Sequence, residues 1–597
     1  MKKSIKLWSI VAFSILPIAA VSISCNWFSK KTKKYNEQFN AVNSITEDEI
    51  AKSKNIIDVV NKADINLFYT TYGVQTFYNM VRLAMLAKTE VHFVKNSALP
   101  FQNKMDEEYF LNFLTNEKKY EISPEKQKQI DNIKEQLDKL NNQKDQSEEI
   151  KTKINVLTKQ YNQLLNPYSN SSIIKTSKFG DMDERVYDAF EKIIKNNLDK
   201  KINLWVNSDH FSNHPSFLNL LGYKNVFIHG LEDAEFMNSY YFEDYKKEFL
   251  KNYNKDTKKI NISPNSYSKT NQYIVSTQFE KVALWWTDEE YIPKWYEMGA
   301  KRVYLYDNET RTKNVIKNAI FSEKNKNNQR LTNFWPKIIG MDWKTERDIV
   351  NKVQKNGKPS LFFLGDTRIK LEKEMLGYIV NTYQDKYNIY YKGHPGYNEN
   401  ESWIRNTINE HKNIYYTDPI TNEKKVTKLK DNNSLTVLES QISSEELTTY
   451  HATQEDGLRF DKFASSGFYS NSLFGIENGY NTIDDFIFTH YEDNKNKINE
   501  WCIEDKNFNY IIDYWETKLM RKFQDNITIK IKEQSKNKQE FDINDFDITV
   551  LNKNLDEALK FRSYSLISLD YDKDTNSLKF KIKGKYNSIQ EFSKKII

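Results

Sequence analysis

Short runs of β-branched and aromatic residues alternate with stretches of helical period through most of the chain. This rhythm narrows the possible folds more than any other feature. "INLFYTT" (65–71) reads as a buried strand, "VQTFYNMVRLAMLAK" (74–88) as a helix, and "VHFVKN" (91–96) as the next strand. A strand followed by a helix and another strand returns the chain parallel to itself, so the expected class is α/β with parallel sheets.

The rhythm resumes in "INLWVNS" (202–208), "NVFIHG" (225–230) and "RVYLYDN" (302–308). It restarts at "PSLFFLGD" (359–366), where a helix with Leu371, Met375, Leu376 and Ile379 on one face leads to "NIYYKGHPG" (388–396). "NIYYTD" (413–418) and "DDFIFTH" (484–490) are further strand candidates. With 597 residues the chain is too long for one core, and the pattern divides it into two Rossmann-like domains, 45–345 and 346–525. Phe334-Trp335-Pro336 marks the expected crossing between them.

Two segments break the rhythm. In 124–166, Ile130, Ile133, Leu137 and Leu140 precede a polar turn, and Ile150, Ile154, Leu157, Tyr161 and Leu164 follow it. Spacings of three and four on both sides predict a helical hairpin with a coiled-coil seam. Residues 526–597 alternate apolar and polar residues in "FDITVLN", "YSLISLDYD" and "SLKFKIKGKY", which predicts a small β appendage with a turn at Asp572–Asn576.

The N-terminus carries an address. Lys2, Lys3 and Lys6 precede an apolar run from Leu7 to Val21, then Ser22-Ile23-Ser24-Cys25. These are the parts of a secretory signal, and the cysteine at the boundary makes residues 1–25 resemble a bacterial lipoprotein signal. That resemblance implies lipidation at Cys25, a polar tether over 26–44, and a lipid-anchored body at the outer face of the cell membrane. Cys502 is the other cysteine, so acylation of Cys25 leaves no intrachain disulfide. The net charge is only +6, with both signs interspersed and no basic stripe, which argues against nucleic acid as a partner.

Ligands of parallel α/β folds bind beyond the carboxyl ends of the strands. Three strand ends carry suitable chemistry. Lys392 and His394 lie in Lys392-Gly393-His394-Pro395-Gly396. A cation, imidazole donors and closely turning glycines suit a phosphate. Asp307, Asn308 and Glu309 end "YLYDNET", where a carboxylate can serve as a general base. "ASSGFYSNSLFG" (464–475) offers hydroxyls and glycines for an anion. Asp209, His210 and His214 have a metal-like spacing, but Pro215 and the loop-like composition argue against a helical pair, and no metal is expected.

In this order, "YLYDN", "YYKGHPG", "SLTVL" and "GFYSNSLF" resemble the bacterial sialyltransferases of glycosyltransferase family 80 over roughly residues 60–490. The resemblance implies a GT-B fold, with two Rossmann-like domains facing a cleft. It implies transfer of a sugar such as sialic acid from a CMP donor to a glycan hydroxyl, with no cofactor and no metal. His394 would be the general acid and donor to the CMP phosphate, and Lys392, Gly393 and Pro395 would support its loop. Ser470 and Asn471 fall where the family has its phosphate-binding Ser-Ser pair, with Ser472 as the substitute, and Gly365 would approach the nucleotide. The partners implied are a nucleotide sugar, a glycan acceptor and the lipid membrane.

Two positions depart from the family. Asn308 stands where the family has its base, leaving Asp307 or Glu309 to substitute, and Thr436 stands where the family has a ribose-binding Glu. These departures sustain an alternative, a catalytically degenerate surface lipoprotein that binds a glycan or nucleotide sugar.

Overall fold

The structure, a computed structural model, describes most residues between 55 and 465 and between 520 and 596. Outside the description lie residues 1–54, 466–519 and shorter stretches, among them 306–315, 397–403 and 449–457. The signal with Cys25, the triplet Asp307-Asn308-Glu309, the Ser470–Ser472 segment, His214 and "DDFIFTH" therefore lie outside the described residues. The chain forms two compact units, Met1–Lys497 and Ile498–Ile597.

The first unit is mixed α/β. Seven strands form its larger sheet: β1 (Ile65–Tyr69), β2 (Glu90–Asn96), β3 (Ser172–Thr176), β4 (Ile202–Asn207), β5 (Val226–Leu231), β6 (Val282–Trp286) and β7 (Val303–Leu305). Their order is β3-β2-β1-β4-β5-β6-β7, and every pair is parallel. The order reverses between β1 and β4, which is the switch point where doubly wound sheets open a crevice.

Strands β1, β4 and β6 are buried throughout, as expected of a parallel sheet covered on both faces. Leu67, Leu204, Ile228, Leu284 and Trp286 enter one large core together with Phe190, Phe211 and Trp295. On the opposite face Phe68 packs on Phe93, which meets Phe77 and Phe110. Further along that face the residues are polar and aromatic. Trp205 Nε1 donates to Asn66 Oδ1 at 2.8 Å, Trp285 Nε1 donates to His229 Nδ1 at 3.2 Å, and Trp205 stacks on His229 at 4.3 Å.

Helix α1 (Ile56–Asn61) is capped by Asn55. Helix α2 (Val74–Leu86) follows β1. The inserted hairpin is present as α3 (Pro124–Asn141) and α4 (Glu148–Leu165), which pack together, with Ile130 and Leu157 the buried residues of the seam. Helix α5 (Lys326–Ile339) contains Pro336, so Phe334-Trp335-Pro336 is helical and Trp335 is fully buried.

The smaller parallel sheet contains β8 (Ser360–Leu364) and β9 (Asn388–Lys392), joined by α6 (Ile369–Tyr383). Strands β10 (Asn413–Thr417) and β11 (Lys424–Lys428) stand apart as an antiparallel pair, so "NIYYTD" does not extend the parallel sheet. Strands β12 (Leu435–Val437) and β13 (Lys462–Ser465) complete the four-stranded order β12-β9-β8-β13, all parallel.

The second unit holds two antiparallel three-stranded sheets. They are built from β14 (Ile527–Ile531), β15 (Phe546–Val550) and β16 (Lys553–Asn554), and from β17 (Ser565–Asp572), β18 (Ser577–Lys583) and β19 (Ile589–Lys595). Met520 and Phe523 join Phe546, Leu559, Leu578 and Phe580 in its core. That packing sets the start of the described core ahead of residue 526, at which the β pattern starts.

Candidate functional site

The carboxyl edge of the four-stranded sheet gathers the motif residues. Leu364 pairs with Lys392 and with Ser465, so β8 lies between the strands leading to the K-G-H-P loop and to the serine-rich segment. The Gly365 amide donates to Lys392 O at 2.8 Å, and the Leu438 amide donates to Tyr391 O at 2.8 Å. The loops after β8, β9 and β12 are thereby laced edge to edge.

Lys392 is fully buried. Its Nζ donates to Gly393 O at 2.7 Å and to Ser440 O at 3.2 Å. Burying an ammonium is costly unless it is hydrogen-bonded. Here it holds the end of β9 to the segment after β12. Gly393 is buried, and a Cβ there would lie 3.0 Å from the Tyr391 hydroxyl and 3.2 Å from Ser440 Cβ. A side chain here would be tight, and Tyr391 and Ser440 would have to give by a few tenths of an ångström. His394 is partly exposed beside the buried Pro395, and its Nδ1 accepts from the Gly396 amide at 3.1 Å. In the neutral ring that bond assigns the proton to Nε2, making this nitrogen a donor.

Thr436 sits inside β12, opposite Tyr390 and half-buried. The first carboxylate after that strand, Glu439, accepts from Lys104 Nζ at 2.7 Å and from the Gln441 amide at 2.9 Å.

The carboxyl edge of the seven-stranded sheet is built differently. Gly73 precedes α2 with φ of +69°, and a Cβ there would meet Asn207 Nδ2 at 2.2 Å and Asp233 Oδ1 at 2.3 Å. Only glycine fits both the angle and the space. Asp233 Oδ1 accepts from the Thr76 amide at 2.8 Å and from Thr76 Oγ1 at 2.9 Å, capping α2 where Gly73 has no side chain to do so. Burial pushes the Asp233 carboxyl up, the two Thr76 bonds oppose this, and the charge of Glu445 adds to the rise. Asn207 Nδ2 donates to Thr76 Oγ1 at 3.1 Å. His210 is fully buried and its Nε2 accepts from the Thr71 amide at 3.2 Å, which sets the neutral ring's proton on Nδ1.

The two edges are joined. Arg82 on α2 pairs with Glu446 on the short helix α7 (Ser444–Thr448) after β12, and both side chains are fully buried. Trp335 Nε1 donates to Glu446 Oε2 at 3.0 Å, Trp343 Nε1 to Glu446 O at 3.1 Å, and the Arg82 guanidinium lies 4.5 Å from the Trp335 ring centre. Trp335 thus packs on the ion pair that ties α2 to the segment after β12.

Of the expected residues, the sheet brings Gly365, Lys392, Gly393, His394 and Pro395 to one edge and sets Thr436 one strand away. Asp233, Arg82 and Glu446 were not expected. The signal for the first was Leu231-Glu232-Asp233, an acidic pair directly after an apolar strand. Among the described residues no cluster of metal-ligating side chains occurs, and no helix is long and apolar enough to cross a membrane. The chain matches no family model and no curated protein.

Proposed function

We propose that the chain is a lipid-anchored, metal-independent glycosyltransferase of GT-B type. It resembles the sialyltransferases in moving a sugar such as sialic acid from a CMP donor to a glycan hydroxyl. The observation that carries this reading is the meeting of Gly365, Gly393 and His394 at one carboxyl edge, with Lys392 turned inward to fix the loop. In the reaction the acceptor oxygen attacks the anomeric carbon and the bond to the phosphate oxygen breaks. His394 Nε2–H donates to that phosphate, offsetting the charge left on it. Asp307 or Glu309 takes the hydroxyl proton.

Thr436 supports a second reading, a binder without turnover. It offers no carboxylate to a ribose, and Glu439 is already engaged by Lys104. Incubation of the intact protein with CMP-sialic acid and lactose separates the two. The enzyme releases CMP and His394→Ala does not. Binding of CMP with no release by the wild type rejects the enzyme and keeps the binder.

A further inference from the structure

The seven-stranded sheet carries a cavity at its amino end. A cavity of about 310 Å³ opens on the polar face of the sheet, over the amino halves of β4 to β7 and beside α1. Its wall has an uncommon charge balance. Lys201, Lys281 and Arg302 stand immediately before β4, β6 and β7, so three parallel strands each deliver one cation. Lys62, just past α1, is a fourth, against the single lining carboxylate of Asp58.

The cations are positioned in different ways. Lys281 Nζ donates to Leu221 O and Tyr223 O, both at 2.7 Å, and burial lowers its pKa. Lys201 is exposed and its Nζ lies 5.1 Å from the Phe227 ring centre. Arg302 is half-buried. Between these charges the wall is aromatic, with Phe227 and Tyr304 both half-buried. His229 also lines it, and the bond from Trp285 to Nδ1 assigns the ring proton to Nε2.

Asn203 supplies an independent observation. It is fully buried in the cavity wall, its Nδ2 donates to Val59 O at 3.1 Å, and its Oδ1 accepts no hydrogen bond among the described residues. One buried acceptor in the wall of the cavity thus has its hydrogen bond unmade.

We infer that this cavity is a binding site for a small phosphorylated sugar, separate from the K-G-H-P edge. Lys201, Lys281 and Arg302 take the phosphate, Phe227 and Tyr304 take the ring face, and Asn203 Oδ1 accepts from a ring hydroxyl. The volume falls in the range of small-molecule sites. An ordinary basic surface would not pair the charges with half-buried aromatic rings and an unmet buried acceptor.

The test uses glucose 6-phosphate as probe, with glucose and inorganic phosphate as controls, titrated calorimetrically into the wild type, His394→Ala and the double variant Lys201→Gln/Arg302→Gln. Both substituted side chains lie at the cavity mouth, and their strand contacts are made by backbone atoms, so an unchanged thermal melt confirms folding. The site predicts binding tighter than either control, unaltered in His394→Ala and weaker by about tenfold or more in the double variant, since each charged hydrogen bond contributes about 1.5–3 kcal/mol. Three results overturn it: no saturable heat with glucose 6-phosphate, equal affinity for inorganic phosphate, or undiminished binding in the double variant. Loss of binding in His394→Ala also overturns it, by placing the phosphate at the other edge.

Discussion

The two parallel sheets of the first unit use polar residues at their carboxyl edges in opposite ways. At the four-stranded sheet the buried cation, Lys392, serves the backbone, and the partly exposed His394 is left at the mouth of its loop. At the seven-stranded sheet the polar groups are drawn inward. Asp233 caps α2, Asn207 supports Thr76, and His210 is buried against Thr71. One edge is a shaped loop with a donor at its tip, and the other is a buried polar seam that sets the start of a helix. A strand end with suitable chemistry is thus not yet a site. The two differ in what their polar side chains bond, the backbone of one loop at the first and the start of α2 at the second.

The strongest way to break this comparison is to cut the tie between the edges. Arg82→Ala leaves Glu446 buried and uncompensated, and should lower the stability of the first unit by about 3–5 kcal/mol in urea unfolding. The double variant Arg82→Met/Glu446→Leu should recover most of that loss, because removing both charges also removes their desolvation cost. Recovery of nothing would mean that the pair is required for the packing itself.

Next in size is Lys392→Met. It removes the donor from Gly393 O and Ser440 O inside a buried loop, and should cost about 2–3 kcal/mol in the same measurement. An unchanged midpoint would show that the ammonium is not what holds the loop.

How much of this was legible in the chain follows from how the residues are distributed. The K-G-H-P edge is compressed into five consecutive residues after an apolar strand, so its position could be read directly. The polar seam is scattered over Thr71, Gly73, Thr76, Asn207, His210 and Asp233, and only the strand order brings these together. Strands β1, β2, β4, β5, β8 and β9 were visible because buried parallel strands are nearly continuous apolar runs. Strand β6, "VALWW", was lost between helical patterns, and the three residues of β12 are too few to carry a period. The hairpin of α3 and α4 was legible because each of its helices spans several turns of seam.

A smaller effect sharpens the contrast at the seven-stranded edge. Asp233→Ala should cost about 1–2 kcal/mol as a lost cap, whereas Asp233→Asn keeps an acceptor for Thr76 and should be near neutral. If Asp233→Asn nevertheless abolishes CMP release while unfolding at the wild-type urea concentration, the seam takes part in the chemistry and the comparison fails.

The smallest effect is with acid, and it falls on individual carboxylates. In the second unit Lys579 holds the Asp572 carboxyl down to about 2, and Lys538 with Ser535 does the same for Asp545. Both lie below the unfolded value of about 3.9, so their stabilisation is present above pH ~4 and is lost as pH falls toward about 2. Asp233 is raised instead, so it opposes folding while ionised in the folded state, and that opposition is relieved as pH falls through its folded pKa. Melts of the wild type should therefore lose stability between pH ~4 and about 2 more steeply than melts of Asp572→Asn, which lacks the titrating group, and equal loss in both would refute the assignment.

The central claim is that the edge formed by Gly365, Lys392, Gly393 and His394 receives the phosphate of a nucleotide. Calorimetric titration of CMP into the wild type, His394→Ala and Gly393→Val tests it most directly. The wild type should bind CMP. Loss of one charge-assisted donor should weaken the His394→Ala variant about tenfold, and Gly393→Val, which forces a side chain against Tyr391 and Ser440, should abolish binding. Equal affinity in all three proteins, or no heat from the wild type, would contradict the account.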